Sequence, residues 1–495
     1  MSDAARGGAM HQSSILRRAG PLMIARLAVA ALTFAIPMVL ARMLLPQSYG
    51  TFKQAWLISN TLFLVLPLGL TPSLVYFVPR EPARKSFFIS QVLVLTTAVG
   101  ALAALLLLWA GPMVARLFHN DELRQLMGWV AAYTGFRLAG TCFDVVYMSE
   151  GRIKRSALVR VGSEALYTVC LIAGALWTRS VAGAFAGVTL ATFGRALACW
   201  IALVREHGLR LSLPDLRRQL AYALPFGAAF VVIIPQQQFH SYLVSATVSA
   251  AAYAVYSVGC FQLPIVDMLY SPVSEILQLG IAEHDARGDH AAPLALFREA
   301  VSRLSFVFIP TMAVLFVCAR SLILFLFTAR YLEAVPLFRL ALVSIPMAAL
   351  PLDGVMRARA ENRFVLKISA LKLALTVPLV WSGLRAFGTI GALGGWIVAE
   401  ESCRLLLLWK TSRVFGAPVL QMLPTRELCF QALAALVAAP VAALVLRAAQ
   451  GPLFLQLALC GLSFAGAYLG MLRATGRLPP VRDWIPRRTS AAAVA

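Results

Sequence analysis

The chain has 495 residues, 60% of them hydrophobic and 13% charged, with a net charge of +22. Soluble domains carry roughly 25% charged residues, so the composition excludes a water-soluble globular protein and points to the membrane class. Basic character of this size also suits nucleic-acid binding, but that needs a basic patch on a soluble domain, and here the Lys and Arg residues lie mostly between apolar stretches.

Taken in chain order, apolar stretches run over 20–41, 54–78, 87–115, 125–148, 157–178 and 181–204. Further stretches run over 219–245, 251–280, 304–319, 335–356, 368–384, 390–409, 428–446 and 452–472. Set against the roughly 20 residues that cross a bilayer as helix, these predict an all-α polytopic membrane protein with about fourteen transmembrane helices. The first stretch exceeds a signal-peptide core and leads straight into a second, so it reads as a retained helix. The segment 321–327 is too short to cross and extends the ninth span or lies along the outer interface.

Charge tests the layout. Alternating the loops in and out, starting inside, places roughly 29 basic residues inside and roughly 10 outside. The inside group includes Arg84, Lys85, Arg152, Arg155, Arg217 and Arg218. Both termini of this multi-pass membrane protein are therefore expected in the cytoplasm. Pro21 and Pro225 stand at the same offset as Tyr49 and Tyr253. That faint repeat predicts two six-helix lobes, as in transporters built from repeats. The expected organisation is a tail (1–19), a first lobe (20–204), a linker (205–218), a second lobe (219–414), two C-terminal helices (425–473) and a second tail (474–495).

Eight cysteines fall inside predicted spans without a CxxC pair, so neither a disulfide framework nor a zinc site is expected. No P-loop, HExxH or GxSxG occurs. The external loops are too short for a sugar-transfer site; the one with neighbouring acids holds His119, Asn120, Asp121 and Glu122. No enzyme activity and no cofactor are expected.

The residues with chemical promise are charges inside spans, where each costs about 2.5–3.5 kcal/mol to insert and so marks a pathway or an interior contact. Arg26, Arg137, Arg195 and Lys372 are candidates for binding a phosphate-bearing substrate, because guanidinium holds phosphate oxygens through paired hydrogen bonds. Each has a bland reading beside it. Arg26 can snorkel to the surface, and Arg137 shares a helix face with Asp144. Arg404 follows Glu400 by four residues, the favourable order for a local pair. The run Pro235-Gln236-Gln237-Gln238-Phe239-His240 is expected to interrupt the seventh span, either as a hinge whose Gln237 and His240 meet sugar hydroxyls or as inter-helix hydrogen bonding. Asp267, deep in the eighth span, is the ion-coupling candidate.

Two stretches carry a resemblance. The loop Ala41-Arg42-Met43-Leu44-Leu45-Pro46-Gln47-Ser48-Tyr49-Gly50 resembles the Ala-Arg-x-Leu-x-Pro-x-x-Tyr-Gly turn of polysaccharide flippases, in the multidrug/oligosaccharidyl-lipid/polysaccharide exporter superfamily. Leu326-Phe327-Thr328-Ala329-Arg330-Tyr331 is similar to a second family stretch, with Ala329 where Gly is common, and the turn Phe387-Gly388-Thr389-Ile390-Gly391 also fits. The resemblance implies a flippase for an oligosaccharide carried on a polyprenyl diphosphate, working by alternating access in O-antigen or exopolysaccharide synthesis. Its implied partners are that lipid-linked substrate, membrane lipid, a polysaccharide polymerase and a chain-length regulator. The rivals are a cation-coupled multidrug exporter of the same superfamily, a membrane ligase or polymerase, and a non-transporting scaffold. The absence of any acid from 20–41 argues against the exporter.

Overall fold

The computed structural model describes residues 28–261, 264–289 and 291–477. Every regular element among them is helical: α1 (Ala28–Met43), α2 (Pro46–Val65), α3 (Leu70–Arg80), α4 (Lys85–Leu117), α5 (Asp121–Ala139), α6 (Phe143–Ser149), α7 (Ile153–Thr178), α8 (Val181–His207), α9 (Leu213–Thr247) and α10 (Ala250–Gly259). There follow α11 (Pro264–Ala286), α12 (Ala292–Phe327), α13 (Val335–Leu342), α14 (Leu352–Ala358), α15 (Asn362–Phe415), α16 (Val419–Met422), α17 (Thr425–Ala448) and α18 (Leu453–Ala474). Among the described residues, 10 helical segments are long and apolar enough to cross a membrane, rather than the fourteen counted from hydropathy.

The first expected span is not among the ten because residues 20–27 lie outside the described residues, leaving only Ala28–Met43 of it; the other differences have local causes. The expected fourth span is split into α5 and α6 by the turn at Gly140–Cys142, and the eighth into α10 and α11. Conversely, α15 contains two expected spans in one element, which reverses at Gly388 (φ 63°, ψ −145°), a left-handed backbone suited to glycine. The reversal is tight. A Cβ added at Gly391 would lie 2.0 Å from the Gly383 carbonyl oxygen, and one at Gly395 would lie 2.3 Å from that of Leu379. The α7–α8 hairpin repeats this device: a Cβ at Gly187 would lie 2.0 Å from the Cys170 oxygen. Small residues let helix backbones approach where lipid offers no hydrophobic driving force for association.

Packing divides the chain into two compact units, one running to Ala254 and the other starting at Val255. Helix α9, expected to open the second lobe, packs against α2, α3 and α4 in the first unit. It is also unbroken. Pro225 and Pro235 lie inside it, and the expected interruption at 235–240 is absent. A membrane helix tolerates proline because neighbouring groups re-satisfy the freed carbonyl.

The first unit has its core where α3, α4, α6, α8 and α9 meet, around Phe77, Phe88, Val146, Tyr147 and Leu203. In the second unit one core joins α11, α12, α14 and α15 around Ile281, Phe297, Val301 and Met356. Another joins α12, α17 and α18 through Ala434, Ala438, Ala442, Phe464 and Tyr468.

The motif loop acts through packing. Pro46 occupies the first turn of α2, where its missing N–H costs nothing. Tyr49 is fully buried, and a Cβ on Gly50 would lie 1.8 Å from the Ala250 carbonyl oxygen. Gln47 Oε1 accepts from the Ala251 N–H at 3.2 Å. In the second stretch, Tyr331 is likewise buried, against Phe327, after a left-handed Thr328.

Candidate functional site

The first unit carries an unusual interior cation. Arg137 stands on α5, one turn after Tyr133, so both side chains share a helix face. Its guanidinium carbon lies 3.8 Å from the centre of the Phe63 ring, 5.7 Å from that of Tyr133 and 5.9 Å from that of Trp56. Trp56 and Phe63 are two turns apart on α2 and so project from the same side. The rings hold the cation by their quadrupoles. Arg137 Nη1 is nevertheless buried without a hydrogen-bond partner, and among the described residues no carboxylate pairs with Arg137 within ion-pair distance. Tyr133 and Tyr167 join hydroxyls at 3.1 Å beside it, and Ser59 and Thr134 do so at 2.7 Å. On α7, one turn before Tyr167, Glu164 Oε1 accepts from Thr33 Oγ1 at 3.3 Å.

The expected partner of Arg137, Asp144, is engaged elsewhere. Arg195 Nη2 lies 2.7 Å from Asp144 Oδ1, and Arg195 Nε donates to the Gly140 carbonyl at 3.1 Å. Arg195 thus ties α8 to the α5–α6 break, capping a carbonyl that the break frees. Lys372 has a partner too: its Nζ pairs with Glu400 Oε2, and Arg404 Nε reaches Glu400 Oε1 at 3.2 Å. The adjacent Glu401 has both carboxylate oxygens buried without a hydrogen-bond partner. Arg26 lies outside the described residues. On α9, Gln237 is exposed while Gln236 and His240 are buried, His240 with its Nδ1 3.5 Å from Ser241 Oγ. Asp267 is exposed in the first turn of α11, close after the break in the eighth span rather than deep within a helix.

The loop with neighbouring acids is structural. Asn120 caps α5 by accepting from the Leu123 N–H at 3.2 Å and donates to Gln54 Oε1 at 2.6 Å, while Thr51 donates to Glu122 at 2.8 Å. At the other end of the first unit the basic loops gather into one layer. Arg84 meets Asp215 at 2.7 Å, Lys85 meets Glu150 at 2.7 Å, and Arg152 and Arg155 meet Glu206 at 2.7 and 2.8 Å. Glu150, Glu206 and His207 bring ligand atoms within 4.8 Å of one another. The three cations already balance both carboxylates, so the cluster is an ion-pair network rather than a metal cage. Just outside the spans, the Arg218 guanidinium at 2.5 Å holds the Glu81 carboxyl below its ordinary pKa.

Sequence reasoning found Arg137 but missed its aromatic frame. The signal was available: Trp56 and Phe63 seven residues apart on one span, and Tyr133 one turn before Arg137 on another. It could not tell that Asp144 serves Arg195, since that depends on the turn after α5.

Residues 39–336 match the family described as polysaccharide biosynthesis protein. No curated protein matches the sequence significantly. Among solved structures, the chain is similar to the lipid II flippase MurJ in an inward closed conformation, with 14% identity, TM-score 0.71, and coverage of 93% of this chain and 100% of that one. It is also similar to an inward-facing multidrug resistance MATE family transporter of the MOP superfamily, with 15% identity, TM-score 0.59, and coverage of 81% and 98%. A MOP superfamily transporter from Pyrococcus furiosus matches with 15% identity, TM-score 0.55, and coverage of 81% and 95%.

Proposed function

Because the chain belongs to the polysaccharide biosynthesis protein family, we propose that it is an inner-membrane flippase for polyprenyl-diphosphate-linked oligosaccharide, with both termini cytoplasmic. The observation that carries this reading is Arg137. A guanidinium inside a membrane protein, framed by aromatic rings and with a buried donor left open, is a place for an anionic headgroup oxygen. The buried hydroxyl pairs Tyr133–Tyr167 and Ser59–Thr134 nearby keep this interior polar.

In this reading the roles of the candidates divide. Arg137 contacts the diphosphate directly. Arg195 and Lys372 act from within ion pairs, positioning α8 and the two arms of α15. Gln237, exposed on α9, is the sugar-contacting amide, and His240 supports it from the buried face. Arg26 is a second phosphate contact. Asp267 is the coupling acid, and Glu401, buried without a donor, is a second one. Alternating access carries the headgroup through a wet path while the lipid tail stays in the bilayer, since charge in hydrocarbon is prohibitive.

The test is accumulation of lipid-linked oligosaccharide on the cytoplasmic face. Cells carrying Arg137→Ala at normal abundance should accumulate it and lose surface polysaccharide. Arg137→Lys should restore only part, because lysine keeps the charge and loses the planar fork. Normal surface polysaccharide in the alanine variant would remove Arg137 from the substrate path.

A further inference from the structure

A cavity of about 180 Å³ opens in the second unit between α12, α17 and α18, remote in sequence from Arg137 and its aromatic frame. It lies at helix ends: Glu427 and Gln431 are in the first two turns of α17, and Arg477 follows the last turn of α18. Helix ends of this length are where bilayer headgroups sit.

The position of Arg477 is built. Gly476 has φ 67°, its N–H donates to Arg473, and the Arg477 N–H donates back to Leu472 at 2.8 Å. This paired closure of a helix C-terminus fixes the residue after the glycine. It lays the Arg477 guanidinium 3.9 Å from the centre of the Phe430 ring, and among the described residues no carboxylate pairs with it. Glu427 lines the same cavity, exposed, and also lacks an ion-pair partner among the described residues. Gln431 is 6% exposed; its amide donates to the Ser302 carbonyl at 3.2 Å, and its Oε1 is buried with no donor facing it. Arg303, on the cavity wall, already pairs with Glu299.

One cavity thus holds an open cation, an open carboxylate and an open acceptor. An occupant that satisfies all three has an anionic phosphodiester and, a few bonds away, an ammonium with N–H donors. We propose that this cavity binds the phosphoethanolamine headgroup of a membrane phospholipid, the phosphate on Arg477 and the ammonium between Glu427 and Gln431 Oε1. A choline headgroup has no N–H to give, and a glycerol headgroup has no charge for Glu427.

The test is native mass spectrometry of the full chain in detergent, with phosphatidylethanolamine, phosphatidylcholine and phosphatidylglycerol of identical acyl chains. The expected result is retention of the ethanolamine lipid about tenfold above the other two. Glu427→Gln should abolish the preference over the glycerol lipid, and Arg477→Ala should lower retention of all three. Melting curves of both variants check the fold, and Glu427, being exposed, is the variant that keeps the test valid if Arg477→Ala unfolds. Free phosphoethanolamine and inorganic phosphate are run as competitors. Equal retention of the three lipids, or a preference unchanged in Glu427→Gln, overturns the proposal. So does displacement of the lipid by free phosphoethanolamine at equal concentration, which would make the occupant a soluble solute.

Discussion

Arg137 and Arg195 look alike in sequence and should fail differently when truncated. Arg195→Ala leaves the Asp144 carboxylate, its side chain 12% exposed, without its cation, and leaves the Gly140 carbonyl with only the long Phe143 N–H bond at 3.5 Å. Orphaning a buried charge costs about 3–5 kcal/mol, and the 22% exposure of the Arg195 side chain puts this pair toward the lower end. For a cooperative unit the size of the first one, at about 2 °C per kcal/mol, a loss of about 3 kcal/mol lowers the melting temperature by about 6 °C. Arg137→Ala removes a cation over Phe63, worth about 1–2 kcal/mol, but also removes a buried donor whose missing partner costs about 1–3 kcal/mol. The two nearly cancel, so its melting temperature should stay close to that of the unmutated chain. Melting of the purified proteins in detergent, read beside surface polysaccharide in cells, separates the two. Arg195→Ala should lose folded protein, and Asp144→Leu/Arg195→Leu should recover it, since replacing both partners leaves no orphan. Arg137→Ala should lose export alone. If Arg137→Ala melts as low as Arg195→Ala, or if Arg195→Ala keeps normal stability while export fails, the division of roles is wrong.

Other outcomes are equally specific. In the α15 reversal, Gly391→Ala places a methyl 2.0 Å from the Gly383 oxygen and should cost about 1–3 kcal/mol by overpacking, visible as reduced abundance and an earlier melt. Gly394→Ala, one turn away and with only Leu340 near at 3.9 Å, should be tolerated. For orientation, cysteine at Gln450 should react with an impermeant thiol reagent from outside and cysteine at Arg287 should not, in a background lacking Cys429; the reverse pattern overturns the Lys/Arg argument. Glu81 has its pKa depressed by Arg218, so its contribution to stability is present above the ordinary glutamate value of about 4.3 and is lost as pH falls through the lower folded value. The melting difference between the unmutated chain and Glu81→Gln should therefore close as the pH is taken below 4, and a difference that persists there would mean that the charge is not its source.

Most of the fold was legible because hydropathy reports length and apolarity, which is what a bilayer demands. What hydropathy misses are breaks that preserve apolarity. Gly140–Cys142 splits one expected span without adding a charge, whereas the reversal of α15 at Gly388, three residues after Arg385, falls where the hydropathy already breaks between 384 and 390. Proline misled in the other direction: Pro235 sits in an unbroken α9, because in a membrane the neighbours of a helix decide whether it kinks. The site was half legible. The presence of interior cations follows from sequence; which acid neutralises which cation follows from where the breaks bring helices together.

That dependence connects the fold to the function proposed. The first unit uses its break after α5 to fasten Arg195 onto Asp144 and Gly140, and this leaves Arg137, one turn before the break on α5, without an ion-pair acid among the described residues. Had α5 run straight into α6, Arg137 and Asp144 would sit on one face at a seven-residue spacing, about 10 Å apart along the axis. The turn at Gly140–Cys142 thus decides which arginine is spent on structure and which stays open for an anion. The same economy appears at the motif loop, where Pro46, Tyr49 and Gly50 secure α2 against the backbone at Ala250. Trp56 and Phe63, further along α2, hold the guanidinium from the other side. A loop recognisable by its family pattern therefore contributes by fixing the helix that presents the rings, and its glycine is required by the approach of a backbone rather than by contact with substrate.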